Sequence, residues 1–260
     1  MKILVTFALD NEFAPWRALR EFRAAKWGDV EVYRAQIGPA EVVVLLTGAG
    51  PKQAHLQTAK VLGGDQESIH LCVSSGLAGA LKPEYRIGQV LAARSIRTEN
   101  ELTDSSSNLL QSSAALLSFA EECAATVVEQ FFSSVRVVGS AEEKRHLGER
   151  SDAVEMESFE ILLESAAYGI PAVAVRAISD SADDNLPLDM NRIFTDEGQV
   201  SIPRVLGQVA LHPTSVPELV RLGQNSKLAA EALAQFLDKY ITMVSGRFQI
   251  LERRTGAAAS

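Results

Sequence analysis

The sequence predicts an α/β domain with a largely covered central sheet and extra helices toward its C-terminal end. Three observations carry that reading. Short runs rich in Val and Ile alternate with stretches of helical spacing, the pattern of strands joined by helices. Two of the runs, EVVVLLT at Glu41–Thr47 and AVAVRAI at Ala172–Ile178, are nearly unbroken apolar, as strands covered on both faces are. After Asp180 the alternation stops. SADDNLPLDMN reads as an extended loop, and two helical stretches follow it.

The elements follow in chain order. Lys2–Phe7 is a first strand. Glu12–Ala24 reads as a helix, with Phe13, Trp16, Leu19 and Phe22 in a moderate stripe. Strands at Glu31–Gln36 and Glu41–Thr47 precede a helix at Pro51–Leu62, which opens with proline in its first turn after Gly50. Ser68–Ser74 and Val90–Ser95 are strands, Leu109–Val128 a longer helix and Ser134–Val138 a strand. Glu157–Tyr168 is a helix stopped by Gly169 ahead of Pro171, and Ala172–Ile178 is a strand. Ile202–Leu211 and Val216–Ile241 are the late helices, the second bent or divided at Gly223. Thr255–Ser260 is small and polar and is expected to fray.

With roughly 150 residues per domain as the prior, 260 residues allow one or two. No linker, repeat or low-complexity block divides them, which favours one. Its span is 1–245, with a core at about 1–182, added helices at about 200–245, and a tail at 246–260. The 33 acidic against 25 basic residues give a net charge of −8 without any basic run. That balance argues against a sequence-independent grip on nucleic-acid phosphates and against docking on anionic lipid. Cys72 and Cys123 lie in apolar stretches and read as buried thiols rather than a bridge or metal pair. His55, His70, His146 and His212 lack metal-ligand spacing, so no metal is expected. MKILVTF reads as a strand, not a leader, and no stretch approaches eighteen uncharged apolar residues. A soluble, cytoplasmic protein is expected.

Two glycine-rich turns follow strands: Thr47-Gly48-Ala49-Gly50-Pro51 and Ser75-Gly76-Leu77-Ala78-Gly79-Ala80. Neither is a dinucleotide or Walker motif, and no GxSxG elbow is present. Carboxylates occupy comparable places: Glu12 beyond the first strand, Glu155 and Glu157 in VEMES, and Asp180 closing AVAVRAISD. A lone carboxylate there caps a helix or meets water. Several projecting into one crevice can raise one another's pKa, one way to keep an acid protonated near neutrality.

These segments together resemble the purine nucleoside phosphorylase and nucleosidase superfamily, most closely the 5′-methylthioadenosine/S-adenosylhomocysteine nucleosidases. The matching pieces are the opening strand leading to Glu12, TGAGPKQA, SGLAGAL, VEMES and VRAISD, spread over about residues 1–182. The resemblance implies a mixed, twisted sheet, no cofactor, a purine nucleoside as small-molecule partner and a homodimer or higher homo-oligomer. It also implies roles. Glu12 stands where the family's water-activating carboxylate does, Glu157 where a glutamate binds the ribose hydroxyls, and Met156 where a methionine packs on the sugar. Asp180 matches the aspartate that protonates purine N7, with Ser179 and Arg176 in its support. Ala49, Gly50, Leu77, Ala78, Gly79 and Glu155 belong to the implied substrate site, with Ala49 and Leu77 facing the sugar and nucleophile.

Departures accompany the match. Where phosphorylases carry a phosphate-holding arginine, this chain has Ser74 or Ser75, and Leu77 replaces a hydroxyl residue. A dianion without a fixed arginine fork is poorly held, so hydrolysis is favoured, with Arg17, Arg20 and Arg86 left as alternative sources of charge. The segment before VEMES lacks the aromatic that stacks on adenine in the methylthioadenosine enzymes, which sets it apart from their small-thioether substrates. The pattern DEGQVSIPRVL…HP…PELVRL resembles the hopanoid-associated phosphorylases, which remove adenine from adenosylhopane, and implies a large apolar 5′ group. Phosphorolysis, with phosphate as co-substrate, and a non-catalytic nucleoside-binding protein remain the alternatives. Retention of Glu12, Glu157 and Asp180 together argues against the latter.

Overall fold

The computed structural model describes residues 1–64, 68–99 and 108–257, with side chains as far as 247. Its centre is β1 (Lys2–Phe7), which pairs in parallel with β4 (Ala40–Leu46) and β5 (Leu71–Ser74). β5 continues into β11 (Ala172–Asp180), also parallel. On the far side of β4 lie β3 (Val30–Ile37) and the edge strand β2 (Arg23–Trp27), both antiparallel. β11 then pairs with β6 (Leu77–Ala80) and with β7 (Val90–Thr98). A circuit runs from β6 through β10 (Ala153–Glu155) and β9 (Thr126–Ser133) back to β7, with β8 (Leu109–Gln111) at the edge. The sheet is mixed, as expected.

Period-two alternation explains why the apolar runs are unbroken. In β11, Val173, Val175 and Ala177 face one core, while Ala172, Ala174 and Ile178 face the other. The first core is closed by α1 (Asp10–Leu19), α3 (Ala114–Glu122) and α7 (Val216–Ala257). The second is closed by α2 (Pro51–Leu62) and α5 (Ser158–Ala167). Burial of each large aliphatic here is worth about 1.5–3 kcal/mol.

Several expectations are corrected. The first helix stops at Leu19, because Phe22 folds back onto Phe13 and Trp16, with ring centroids 4.9 and 5.0 Å away, and the chain then forms edge strand β2. The helix expected over Leu109–Val128 is confined to α3, and Ala124 reverses the chain at φ 73°. The strand expected at Ser134–Val138 is instead β9, whose buried Val128 and Phe131 flank exposed Glu129. Finally, α7 passes Gly223 without a break and continues beyond 246 to Ala257, so most of the expected tail is helix. Residues 258–260 lie outside those described. Nor is α7 an addition to a finished core. Ala229, Leu233, Leu237, Tyr240 and Val244 are fully buried and share a cluster with Val5 and Val175. Its neighbour α6 (Ile202–Leu211) differs, having no buried residue. Both cysteines are free thiols, Cys72 buried. Among the described residues, no helix is long and apolar enough to cross a membrane.

Candidate active site

The parallel strands β1, β4, β5 and β11 end at one edge, the usual place for a ligand in an open α/β sheet. A cavity of about 210 Å³ opens there. Glu12, Glu157 and Asp180 all line it, and so do Ala49, Leu77 and Ala78. Gly79, Glu155, Met156 and Ser179 complete the expected residues on its wall.

Glu12 sits in the first turn of α1 and turns back toward its own N-terminus. Its Oε2 accepts from the amides of Ala8 at 3.0 Å and Leu9 at 3.3 Å, an arrangement that helix N-termini favour. Burial nevertheless pushes its pKa up, outweighing the opposing Arg176 charge and those amides.

Glu157 precedes α5, and its Oε1 accepts from the Gly50 amide at 2.8 Å. Burial, then the neighbouring Glu155 carboxylate, raise it to about 7. Gly50 itself is therefore a backbone donor to Glu157 rather than part of the cavity wall. Glu155 is an anchor: its Oε2 accepts from Glu157 N at 2.9 Å, Ser158 N at 2.7 Å and Arg176 Nη2 at 2.6 Å. It fixes the start of α5 and thereby the direction of Glu157.

Arg176 corrects a further expectation. It does not support Asp180. Four residues of strand separate them, about 13 Å at the usual rise. Its guanidinium is buried between Glu155 and Ser74, which accepts from Nη2 at 3.3 Å, with Glu157 Oε2 at 3.8 Å. It is the positive charge beneath the Glu12 end of the cavity. The serines that stand in place of a phosphate arginine are also committed: Ser75 Oγ donates to Thr6 O at 2.7 Å, and Ser74 Oγ lies 3.1 Å from Ser158 Oγ. Arg17 and Arg20 are paired with Asp10 and Asp238 away from the cavity.

Asp180 is held by neighbours of its own. Ser179 Oγ is 2.8 Å from its Oδ1, and Lys144 of α4 (Ala141–Gly148) contacts Oδ2. β6 separates the two ends of the cavity. A Cβ on Gly76 would stand 3.3 Å from Glu12, and one on Gly79 would stand 2.8 Å from Asp180 Oδ2. Three residues of strand put those ends about 10 Å apart, the span of a ribose and its purine. Gly79→Ala is therefore expected to displace the Asp180 carboxyl, which Lys144 prevents from yielding freely. The measurable result is a fall of about tenfold or more in turnover, on the scale that small misplacements of reacting groups cost, together with a lower melting temperature, because the added methyl overpacks a buried site beside the Lys144–Asp180 pair.

The sequence reading missed three contributions. Lys144 lies in AEEKRHL, charged throughout, so no stripe marks it as buried. Arg136, Val137 and Val138 also line the cavity, with Arg136 paired to Glu143. Leu186, Met190, Phe194 and Leu222 close the mouth from the C-terminal third. The Phe194 loop rests on the first glycine turn, where Ala49 N donates to Gly198 O at 2.9 Å. Gly48 and Gly198 both have positive φ, 81° and 71°, and a Cβ on either would strike the other segment's backbone within 2.5 Å.

The fold and this ring of carboxylates define a class. A model of the phosphorylase superfamily matches residues 2–210, and the chain belongs to that superfamily. It is an enzyme of the nucleosidase and nucleoside phosphorylase kind that its motifs resemble. The fold is shared with the 5′-methylthioadenosine/S-adenosylhomocysteine nucleosidase of Neisseria meningitidis, solved in complex with methylthio-immucillin-A. The TM-score is 0.69 at 20% identity, over 93% of this chain and 99% of that one. Futalosine hydrolase of Helicobacter pylori superposes with a TM-score of 0.68 at 20% identity, over 93% and 97%. The Campylobacter jejuni nucleosidase gives 0.70 at 18% identity, over 94% and 99%.

Proposed function

We propose that the protein hydrolyses the N-glycosidic bond of an adenine nucleoside that carries a large apolar 5′ group, such as adenosylhopane. One observation carries hydrolysis: the sugar end of the cavity presents two buried carboxyl groups, Glu12 and Glu157, while its nearest cation, Arg176, is bound to Glu155. A phosphate dianion would meet like charge there. Water would not, and Glu12, pushed up by burial, is the stronger base for it. In this reading Glu12 takes a proton from water as its oxygen bonds to C1′. The C1′–N9 bond breaks, and the purine takes its electron pair and a proton from Asp180 at N7. Glu157 holds the ribose hydroxyls and offsets positive charge developing on the sugar. The nucleosidases and the futalosine hydrolase with this fold support the same assignment.

The 5′ group follows from the mouth. Leu222 and Ser226 of α7 border the cavity and also a second groove lined by Ala14, Pro15, Leu219 and Gly223. Asn11, the neighbour of Glu12 in α1, lines that groove too, with Lys227 and Glu231 as its charged members. Each buried methylene is worth about 0.8 kcal/mol, close to fourfold in binding.

Adenine release from adenosine and from 5′-alkylthioadenosines of rising chain length tests both points. Release is expected without phosphate, with KM falling at least tenfold from methyl to decyl. A strict phosphate requirement would overturn hydrolysis, and a KM indifferent to chain length would overturn the apolar 5′ group.

A further inference from the structure

Lys144 is fully buried at 0% exposure, an arrangement that costs stability unless the charge is answered. It is answered completely. The ammonium has three donors. They meet Asp180 Oδ2, Ser181 O at 2.9 Å and Asp184 O at 3.1 Å. A lysine whose task was only to fasten α4 to the chain after β11 would be served by the two carbonyls. Its contact with Asp180, the acid of the reading above, calls for another account.

We propose that Lys144 is a positioning residue for departure of the purine, acting through Asp180. The proposal rests on the nucleosidase reading. As C1′–N9 breaks, the bonding pair goes to the purine and the Asp180 proton goes to N7, so the base leaves neutral and Asp180 becomes a carboxylate. The free protein holds the two as an ion pair, Asp180 takes a proton from solvent as the nucleoside binds, and its transfer to N7 restores the full negative charge at hydrogen-bond contact with Lys144. An interaction that is stronger after proton transfer than before lowers the barrier, whereas one of constant strength does not. Lys144 also fixes direction. With Oδ2 tied to the ammonium and Oδ1 2.8 Å from Ser179 Oγ, the plane of the carboxyl group is set relative to the cavity.

The test compares leaving groups. Wild type and K144M are assayed on adenosine and on 4-nitrophenyl β-D-ribofuranoside, whose nitrophenolate departs without a proton. For K144M, kcat on adenosine is expected to fall about 10²-fold more than on the nitrophenyl riboside, with KM on adenosine nearly unchanged. Equal losses on both substrates would make Lys144 merely structural and overturn the proposal, as would no loss on either. Should K144M fail to fold by circular dichroism, K144R and K144Q decide. Arginine keeps the charge and should hold the ratio of the two rates within about tenfold of wild type, while glutamine should lose about 10²-fold of it. Equal ratios for the two variants overturn the role. A wild type inert on both substrates and on 5′-decylthioadenosine removes the nucleosidase reading itself, an outcome that no behaviour of the variants can mimic.

Discussion

Asp180→Asn is expected to lower kcat on adenine nucleosides by about 10²–10⁴-fold, the usual worth of a positioned proton transfer, while nucleoside affinity changes only a few-fold. The amide is the size of the carboxyl that lies against Gly79, so the cavity keeps its shape. It cannot supply the proton. The substitution should also lower the melting temperature, because the buried Lys144 ammonium would lose its opposite charge, and stripping one partner from a buried pair is destabilising. Stopped assays for adenine, calorimetric titration with a nucleoside and a thermal melt measure the three effects. Turnover within a few-fold of wild type would remove Asp180 from the role of acid.

What could be read from the sequence, and what could not, divides along a physical line. EVVVLLT and AVAVRAI announced themselves because both faces of β4 and β11 are covered, so every position answered to the same pressure. The cavity carboxylates were visible because strand ends are local features, and the chain turns just after each one. Relations across the fold were not visible. Arg176 looked like a neighbour of Asp180 because it is near in sequence, but an extended strand carries it to the opposite end of the cavity. Lys144 lay in a helix of mixed charge and is buried only because β11 delivers a carboxylate to it. β9 was missed because its helix-like lead-in, EECAATVV, hides the reversal at Ala124. The structural weight of α7 was underestimated for the same reason: its apolar seam is plain, but nothing local tells that seam to close over β1 and β11.

Glu12→Gln isolates the other half of the chemistry. Glutamine's carbonyl oxygen can still accept from the Ala8 and Leu9 amides, so the turn should survive and nucleoside should still bind. Hydrolysis should slow by about 10²–10⁴-fold, because water loses its base. The pH dependence gives the sign. A base works ionised, and burial raises Glu12, so wild-type activity should appear as pH climbs through a region above the ordinary carboxylate value of about 4.3. Glu157 is raised to about 7 in part by the Glu12 charge, so the two carboxyls titrate as an interacting pair and the limb belongs to both. Removing Glu12's charge should lower Glu157 and carry the remaining limb toward acid. The same groups bear on stability. A carboxyl raised by folding holds its proton longer in the native state than in the unfolded one, so it destabilises the fold as pH rises through and beyond its native value. Glu12→Gln should therefore melt higher than wild type at pH 8, and the difference should vanish near pH 3, well below the unfolded value of about 4.3, where both states are protonated. A variant that is slower, equally able to bind and more stable only at alkaline pH is what a buried catalytic base predicts. One that melts lower at every pH would mean that Glu12 serves the fold rather than the reaction.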